Sequence, residues 1–449
     1  LLLAFRAAAS VGVHWLAVFA CRTLGFHLEP LGLLYALVAS GLWIPTALYG
    51  IGYMRAHEEK NQTRFFACFA LAIFASLGIA FAGNLLTLFL FYEALTLSTY
   101  PLVTHHGDDQ AKRAGRVYLG ILIGTSVAFL LLAILITWHV SGTLDFRPGG
   151  ILAGHVEGPM VPILLALFAF GTGKVALMPF HRWLPAAMVA PTPVSALLHA
   201  VAIVKAGAFT VLKVMVYIFG IDFLAAEGAS IWLMWVASFT ILSASIIALT
   251  KDNLKARLAY STISQLAYIV LGGALATASG VIGAGLHIAT HAVGKITLFF
   301  CAGAIFVATH KKKVSELDGL GRRMPFTMFA FLLGSLSIIG LPPMAGAWSK
   351  WFLVLGALEG QHAIFVGVLM ISSLLSIGYL MPVVVRAFFY KGETDDPDPS
   401  DGSHPGFWTG VREAPLLCVV PLCLTGLGCV LLFFYAEGLF ELLQGVIVP

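Results

Sequence analysis

Apolar runs of about twenty residues, separated by short polar clusters, recur from one end of the chain to the other. That is the length a helix rising 1.5 Å per residue needs to cross a hydrocarbon core of roughly 30 Å. Apolar length and polar punctuation predict thirteen spans, over 1–21, 30–53, 65–82, 84–104, 116–138, 160–179, 193–217, 231–250, 258–276, 281–309, 326–358, 362–390 and 415–440. The longest polar insert, KGETDDPDPSDGSHPG at 391–406, is rich in Pro, Asp and Gly and reads as a loop. The fold expected is therefore all-α: a polytopic transmembrane helical bundle with no soluble domain between spans.

Composition strengthens this reading, because 59% of the 449 residues are hydrophobic, 11% are charged and the mean hydropathy is +0.93. The charges that remain report threading. Eighteen Lys and Arg fall in loops after even-numbered spans and three, Arg22, Arg147 and Lys213, after odd-numbered ones. Basic residues collect in cytoplasmic loops, so the even-numbered loops are expected in the cytoplasm and the C-terminus outside. The net charge of +4 thus implies no nucleic-acid partner. The chain begins at Leu1, without an initiator Met or a signal-peptide n-region, and its true start is expected to be missing. The six cysteines lie in apolar segments without C-x-x-C spacing, which reads as small buried hydrophobes, not a disulfide framework or an iron–sulfur site.

Inside the spans stand Arg6, Lys174, Lys205, Lys295, Lys350 and one carboxylate near a span centre, Glu93. Each such charge costs about 2.5–3.5 kcal/mol at a helix centre and normally faces the bundle interior or a wet cavity. Arg6 is close enough to the chain's start to snorkel to the interface. Lys205 can also reach toward an interface or serve inside. Lys174 and Lys350 lie beside helix breaks, Gly171, Gly173 and Pro179 around the first, and Gly340, Pro342 and Pro343 just before the second. Broken backbone at membrane depth survives only where protein or water meets its polar groups, and paired broken helices mark ion paths in transporters. The broken spans are the sixth and eleventh, so a repeat of five spans would be inverted. The candidate units are 65–217 and 218–391, flanked by N-terminal helices over 1–64 and by a loop and C-terminal helix over 392–449.

In HIATHAVGKITLFF, His287, His291 and Lys295 recur every four residues along one helix face, a stripe that suits a proton relay. A metal at His287 and His291 is the alternative, but no third ligand is near in sequence and Lys295 repels a cation. His199 reads equally as a relay or as a satisfied core histidine. GTGK at 171–174 lacks the glycine and the Ser or Thr of a phosphate loop, having Phe168 and Val175 there. No dinucleotide fingerprint or haem-like His pair is visible, so the chain is expected to carry no cofactor and no redox centre of its own.

The stretches FYEALTLSTYPLV, GKVALMPFHRWLPAAMVAPTPVSALLHA, KARLAYSTISQLAYI, HIATHAVGKITLFFCAG and GLPPMAGAWSKWFL together resemble, in order, the motifs of one family. It is that of the antiporter-like membrane subunits shared by Mrp-type multisubunit cation/proton antiporters, respiratory complex I and membrane-bound hydrogenases. The run KVSELDGLGRRMPFTMFAFLLGSLSIIGLPP is most similar to the Mrp D subunit. The resemblance implies fourteen spans with an inverted repeat of five. It makes Glu93 the partner of the broken-helix Lys174, puts Lys205 and His199 on the next helix, His287, His291 and Lys295 on a central helix, and Lys350 at the second broken site. It also implies protons, with sodium or potassium, as cargo, other membrane subunits as partners, and a bacterial cytoplasmic membrane as the setting. Movement of Glu93 would set whether Lys174 holds its proton, which would then pass through Lys205 or His199 to the histidine helix and on to Lys350, with water in the breaks. A redox-driven complex, in which other chains hold the redox centres, is the alternative driver.

Overall fold

The computed structural model describes residues 24–391 and 411–447. The first predicted span with Arg6, and most of the loop after span twelve, lie outside the described residues, as does the His199 side chain. Each of the twelve predicted spans from 30–53 onward contains helix. They are α1 Pro30–Ala56, α2 Gln62–Ala80, α3 Leu85–Val103, α4 Asp109–Ser141, α5 Met160–Gly171, α6 over 192–219, α7 Ile221–Glu227, α8 Ile231–Thr250, α9 Leu254–Ala274, α10 Ala278–Thr309, α11 Pro325–Ile339, α12 Gly346–Glu359, α13 Ala363–Phe389, α14 Leu416–Phe434 and α15 Ala436–Ile447. Among the described residues eight of these are long and apolar enough to cross a membrane alone.

Local chemistry sets the ends. Asn84, Asp108 and Asn253 accept from the backbone N–H three residues on, at 2.8, 2.6 and 3.0 Å, capping α3, α4 and α9. Pro30 and Pro325 occupy first-turn positions of α1 and α11. Gly340 closes α11 in the left-handed region at φ +89°, where a side chain would be strained and would also press on the Lys350 stem. α6 is interrupted by π turns at Leu197–Val201 and Met215–Phe219 and turns by 80° into α7 at Gly220.

Three predicted boundaries change. Span six is helical only to Gly171; the chain then makes a short turn over Gly173–Val175 and two further short turns before α6. Span eleven is two helices, α11 and α12, with the break between them. Span thirteen divides at Tyr435, where a second helix, α15, starts that hydropathy alone merges with the first.

The threading alternates as the basic residues require. At one end His27 N–H donates to the Phe81 carbonyl, Phe146 N–H to Gly83 and Arg147 N–H to Tyr217, at 2.8, 3.1 and 3.2 Å. At the other, Leu254 N–H donates to Lys312, Val314 N–H to Asp252 and Arg412 N–H to Arg323, at 2.9, 2.8 and 2.7 Å. Odd-numbered loops thus gather at one end and even-numbered loops at the other. On the outward faces of the helices Phe74, Leu97, Trp138, Phe239 and Leu374 are exposed, as expected of an integral membrane protein. The 32-residue α10 runs through the interior against α9, α11, α12 and α14, and 72% of its most apolar stretch is buried. Beside it α9 buries Ser261, Thr262, Ser264 and Gln265; enclosed by protein on all sides, it can be more polar than a lipid-facing span.

One basic residue is not where the sequence puts it. Lys213 reads as a loop residue but is fully buried in α6, 2.7 Å from Glu29 Oε1 and donating to the Ala82 carbonyl at 2.7 Å. Lys213 stands inside the predicted span 193–217, and its burial there is tolerated because a carboxylate meets the ammonium.

Candidate functional site

The first break is closed by side chains that meet its freed backbone groups. Trp183 Nε1–H donates to the Gly173 carbonyl at 2.9 Å, and Lys174 N–H donates to the Tyr92 hydroxyl at 3.1 Å. Gly171 and Gly173 pack against α4 at Leu130 and Thr125, beside the π turn Ser126–Leu130, where side chains would collide. Pro179 lies in the turn that follows, after Met178.

That packing turns Lys174 inward. Its ammonium, fully buried, donates to the Tyr92 carbonyl at 2.8 Å and the Thr96 hydroxyl at 2.6 Å, and sits over the Tyr92 ring. Glu93 is the neighbour of Tyr92 on α3. Its charge acts on Lys174 through space rather than in a direct ion pair, and its Oε1 is buried without a hydrogen-bond partner among the described residues.

α6 carries the next group. Gly207 faces the peptide joining Lys174 to Val175, so the helix lies directly on the break. Two residues earlier Lys205, also fully buried, has its Nζ 2.7 Å from His291 Nδ1 on α10. His291 and His287 stack at 5.6 Å between ring centres and 19° between planes, and His287 stacks in turn on Tyr268 at 5.4 Å. His287 Nδ1 is 2.9 Å from the Ser349 hydroxyl, which Thr290 also reaches at 3.3 Å. Ser349 is next to Lys350, and His287 is within electrostatic reach of both Lys205 and Lys350.

At the second break Lys350 Nζ donates to the Ile339 carbonyl, the last of α11, at 2.8 Å and to the Ser373 hydroxyl at 2.9 Å. The ammonium thus satisfies a carbonyl that the break releases. Around it Gly340, Leu341 and Pro342 line an open, mostly apolar cavity of about 520 Å³ with Trp348 and Trp351. Pro343 follows Pro342 in the same turn, before Ala345 N–H donates to the Cys429 carbonyl at 2.9 Å.

Lys295 takes a different direction from the two histidines. Its Nζ donates to Ser261 Oγ at 2.6 Å; Ser261 donates to Tyr379 at 2.9 Å, and Tyr379 meets Ser376 at 2.9 Å. The structure therefore joins Lys205, His291, His287 and the Ser349–Lys350 pair in one line, adjoins Lys174 and Glu93 to it across Gly207, and puts Lys295 on a branch. His199 lies on the π turn of α6. Sequence reasoning missed Tyr92, Thr96, Trp183, Ser261, Ser349, Ser373 and Tyr379, since hydroxyls and rings within apolar spans carry no signal of their own. It missed the Lys213–Glu29 pair because Glu29 precedes a span, although an acid at a helix start close to Pro30 was visible.

The family described as "NADH:quinone oxidoreductase/Mrp antiporter, TM" matches residues 82–376, which hold every one of these lysines and histidines. The chain is 34% identical over 422 residues to NADH-quinone oxidoreductase subunit N of Desulforudis audaxviator, covering 90% of this chain and 82% of that one. It is 30% identical over 415 residues to NADH-quinone oxidoreductase subunit L of Mycobacterium tuberculosis, covering 90% of this chain but 62% of the longer relative. A chain in the structure of the Mrp complex from Dietzia sp. DQ12-45-1b superposes with a TM-score of 0.80 at 21% identity, over 94% of this chain and 84% of that one, a likeness of fold. These relatives are subunits of multisubunit membrane assemblies. This chain is an antiporter-like integral membrane subunit and belongs to the NADH:quinone oxidoreductase/Mrp antiporter family.

Proposed function

We propose that this subunit conducts protons along the buried line Glu93/Lys174, Lys205, His291, His287 and Lys350, within a multisubunit monovalent cation/proton antiporter of the Mrp type. The observation that carries the reading is the 2.7 Å contact between Lys205 and His291, because it connects the group beside the first break to the histidine stack that ends beside the second. Imidazole accepts and releases protons near neutral pH, and each step along the stack is one helical turn. Glu93 sets the protonation of Lys174 as it approaches or withdraws. His199, at the π turn of α6, is a further relay candidate, and Lys295 feeds the hydroxyl branch through Ser261. The two units, 65–217 and 218–391, carry one broken helix each, which supports an inverted repeat. Sodium or potassium is the counter-ion, other membrane subunits are the partners, and a bacterial cytoplasmic membrane is the setting.

A second reading, a proton-pumping subunit of a complex I-like oxidoreductase whose redox centres lie on other chains, is favoured by the match to subunit N over 82% of its length. Both readings share one test. With Lys174 replaced by Ala in the assembled complex, proton flux into vesicles is expected to vanish, and Glu93→Gln to slow it strongly. Unchanged flux with normal assembly would remove the proposed pathway. Flux driven by a sodium or potassium gradient, against flux driven only by NADH or another reductant, separates the two drivers.

A further inference from the structure

The two helix breaks differ in what surrounds their lysines. At the first, Trp183 and Tyr92 close the break over Lys174, and the Glu93 charge is near. At the second, no acidic side chain pairs with Lys350 among the described residues, and the break opens sideways. Lys350 and both residues that hold its ammonium, Ile339 and Ser373, stand in the wall of the cavity of about 520 Å³. An ammonium has three donors, and these two bonds leave one for a ligand.

Beyond this polar end the wall is apolar. Trp351, Met370 and Leu374 line it and are exposed on the outward faces of α12 and α13, so the mouth faces hydrocarbon. Ser373 lies near the middle of α13, which places the ammonium at membrane depth. Trp348 is fixed across the slot, its Nε1–H donating to the Phe433 carbonyl of α14 at 3.1 Å. An ammonium held there without a counter-charge is costly, and attraction to an arriving carboxylate grows as the surroundings become less polar. Shape and charge select what brings that carboxylate. A helix about 10–12 Å across does not enter a slot of this volume, whereas a single alkyl chain does. A phosphate headgroup stays ionised and is held at the membrane surface, but a carboxylic acid can shed its charge by taking up a proton and so reach the interior.

We propose that this cavity binds a long-chain carboxylic acid, with the carboxylate on Lys350 and the chain along Trp348 and Trp351. The acid enters neutral. Where the lysine is an amine, the O–H bond of the acid breaks and an N–H bond forms on Nζ, so carboxylate and ammonium remain as a pair and no net charge is carried in. The bound acid then keeps the proton on Lys350. That stops the line at its end, and makes the site inhibitory; this second part rests on the proton-conducting reading above, whereas binding does not.

The test uses the assembled complex in vesicles and hexadecanoic acid carrying a mid-chain diazirine. After illumination, serum albumin strips the unattached acid and the labelled peptides are mapped. Label is expected within 341–354 and 370–377. Hexadecanoic acid should compete about tenfold or more better than hexadecanol, the factor that a hydrogen bond to a charged group supplies, and Lys350→Gln should lose label by about as much. Hexadecyl sulfate, which stays charged, should compete no better than the alcohol. Equal competition by hexadecanol marks an apolar slot only, and strong competition by the sulfate marks a headgroup site; either would overturn the proposal. Full labelling of Lys350→Gln would overturn it too, as would no label in these stretches, the result if a neighbouring subunit covers them. Competition is read on the unaltered chain, so it decides even where Lys350→Gln fails to assemble. Because albumin also removes the proton leak of free acid, flux can be read on the labelled complex, and it should fall in proportion to the labelled fraction. Label without loss of flux overturns the inhibitory role while the binding site stands; normal flux in Lys174→Ala defeats the parent reading instead.

Discussion

Replacing Gly207 by Ala separates the geometry of the first break from the charges around it. By helix propensity alone, Ala in place of a mid-helix Gly stabilises by about 1 kcal/mol. The structure predicts the opposite sign. A Cβ at 207 would lie 2.9 Å from Lys174 Cβ and closer still to the peptide between Lys174 and Val175. Carbon atoms rest at about 3.5–4.0 Å, so α6 or the lysine turn must move by roughly 0.5–1 Å. Neither is free to yield, since the turn is tied by Trp183 to Gly173 and by Lys174 to Tyr92 and Thr96. Overpacking of this kind costs about 1–3 kcal/mol. Misplacement by about 1 Å costs on the order of 10²-fold where groups must be aligned, so proton flux should fall by up to that factor although no titratable group has changed. The assay is flux in vesicles together with the thermal unfolding midpoint. A Gly207→Ala complex that is as stable as the parent or more so, and that conducts at the parent rate, would refute the argument.

Other outcomes follow from the remaining contacts. Glu29→Gln leaves the Lys213 ammonium buried without its counter-charge and should destabilise by about 3–5 kcal/mol, whereas Glu29→Leu combined with Lys213→Met should regain most of that; thermal unfolding checks both, and a single variant no less stable than the double one contradicts it. Burial holds His105, in the loop after α3, below the ordinary histidine value of about 6.5. A lowered native value means that the stabilisation is present above the unfolded value and is lost as pH falls through the native one. Hydrogen exchange across 104–108, corrected for its intrinsic pH dependence, should therefore rise on acidification from about 7 to about 5, and constant protection would exclude this role.

Glycine and proline made both helix breaks legible, because few residues interrupt an apolar run except to change its backbone. The i, i+4 spacing made the histidine stack legible too, down to the shared face of His287 and His291. Lys295 keeps that spacing but meets α9 rather than the line of lysines, since the neighbours that decide a side chain's company come from other helices. Lys213 was counted with the loop residues although the predicted span 193–217 contains it, because the buried carboxylate that lets it stay inside, Glu29, comes from the start of another helix. The division at Tyr435 was invisible for the converse reason: both of its sides are apolar. His57 and Glu59 read as ordinary loop polarity, since nothing in one sequence says that residues of five loops line one cavity.

At 1.5 Å per residue the 32 residues of α10 make a rod about 48 Å long. His291 on Lys205, His287 on Ser349 and Lys295 on Ser261 are all anchored to that single rod, at 2.7, 2.9 and 2.6 Å. A slide or twist of 1 Å would disengage the three together, so they behave as teeth on one camshaft rather than as independent switches. A displacement along this helix would therefore reach all three contacts in one stroke.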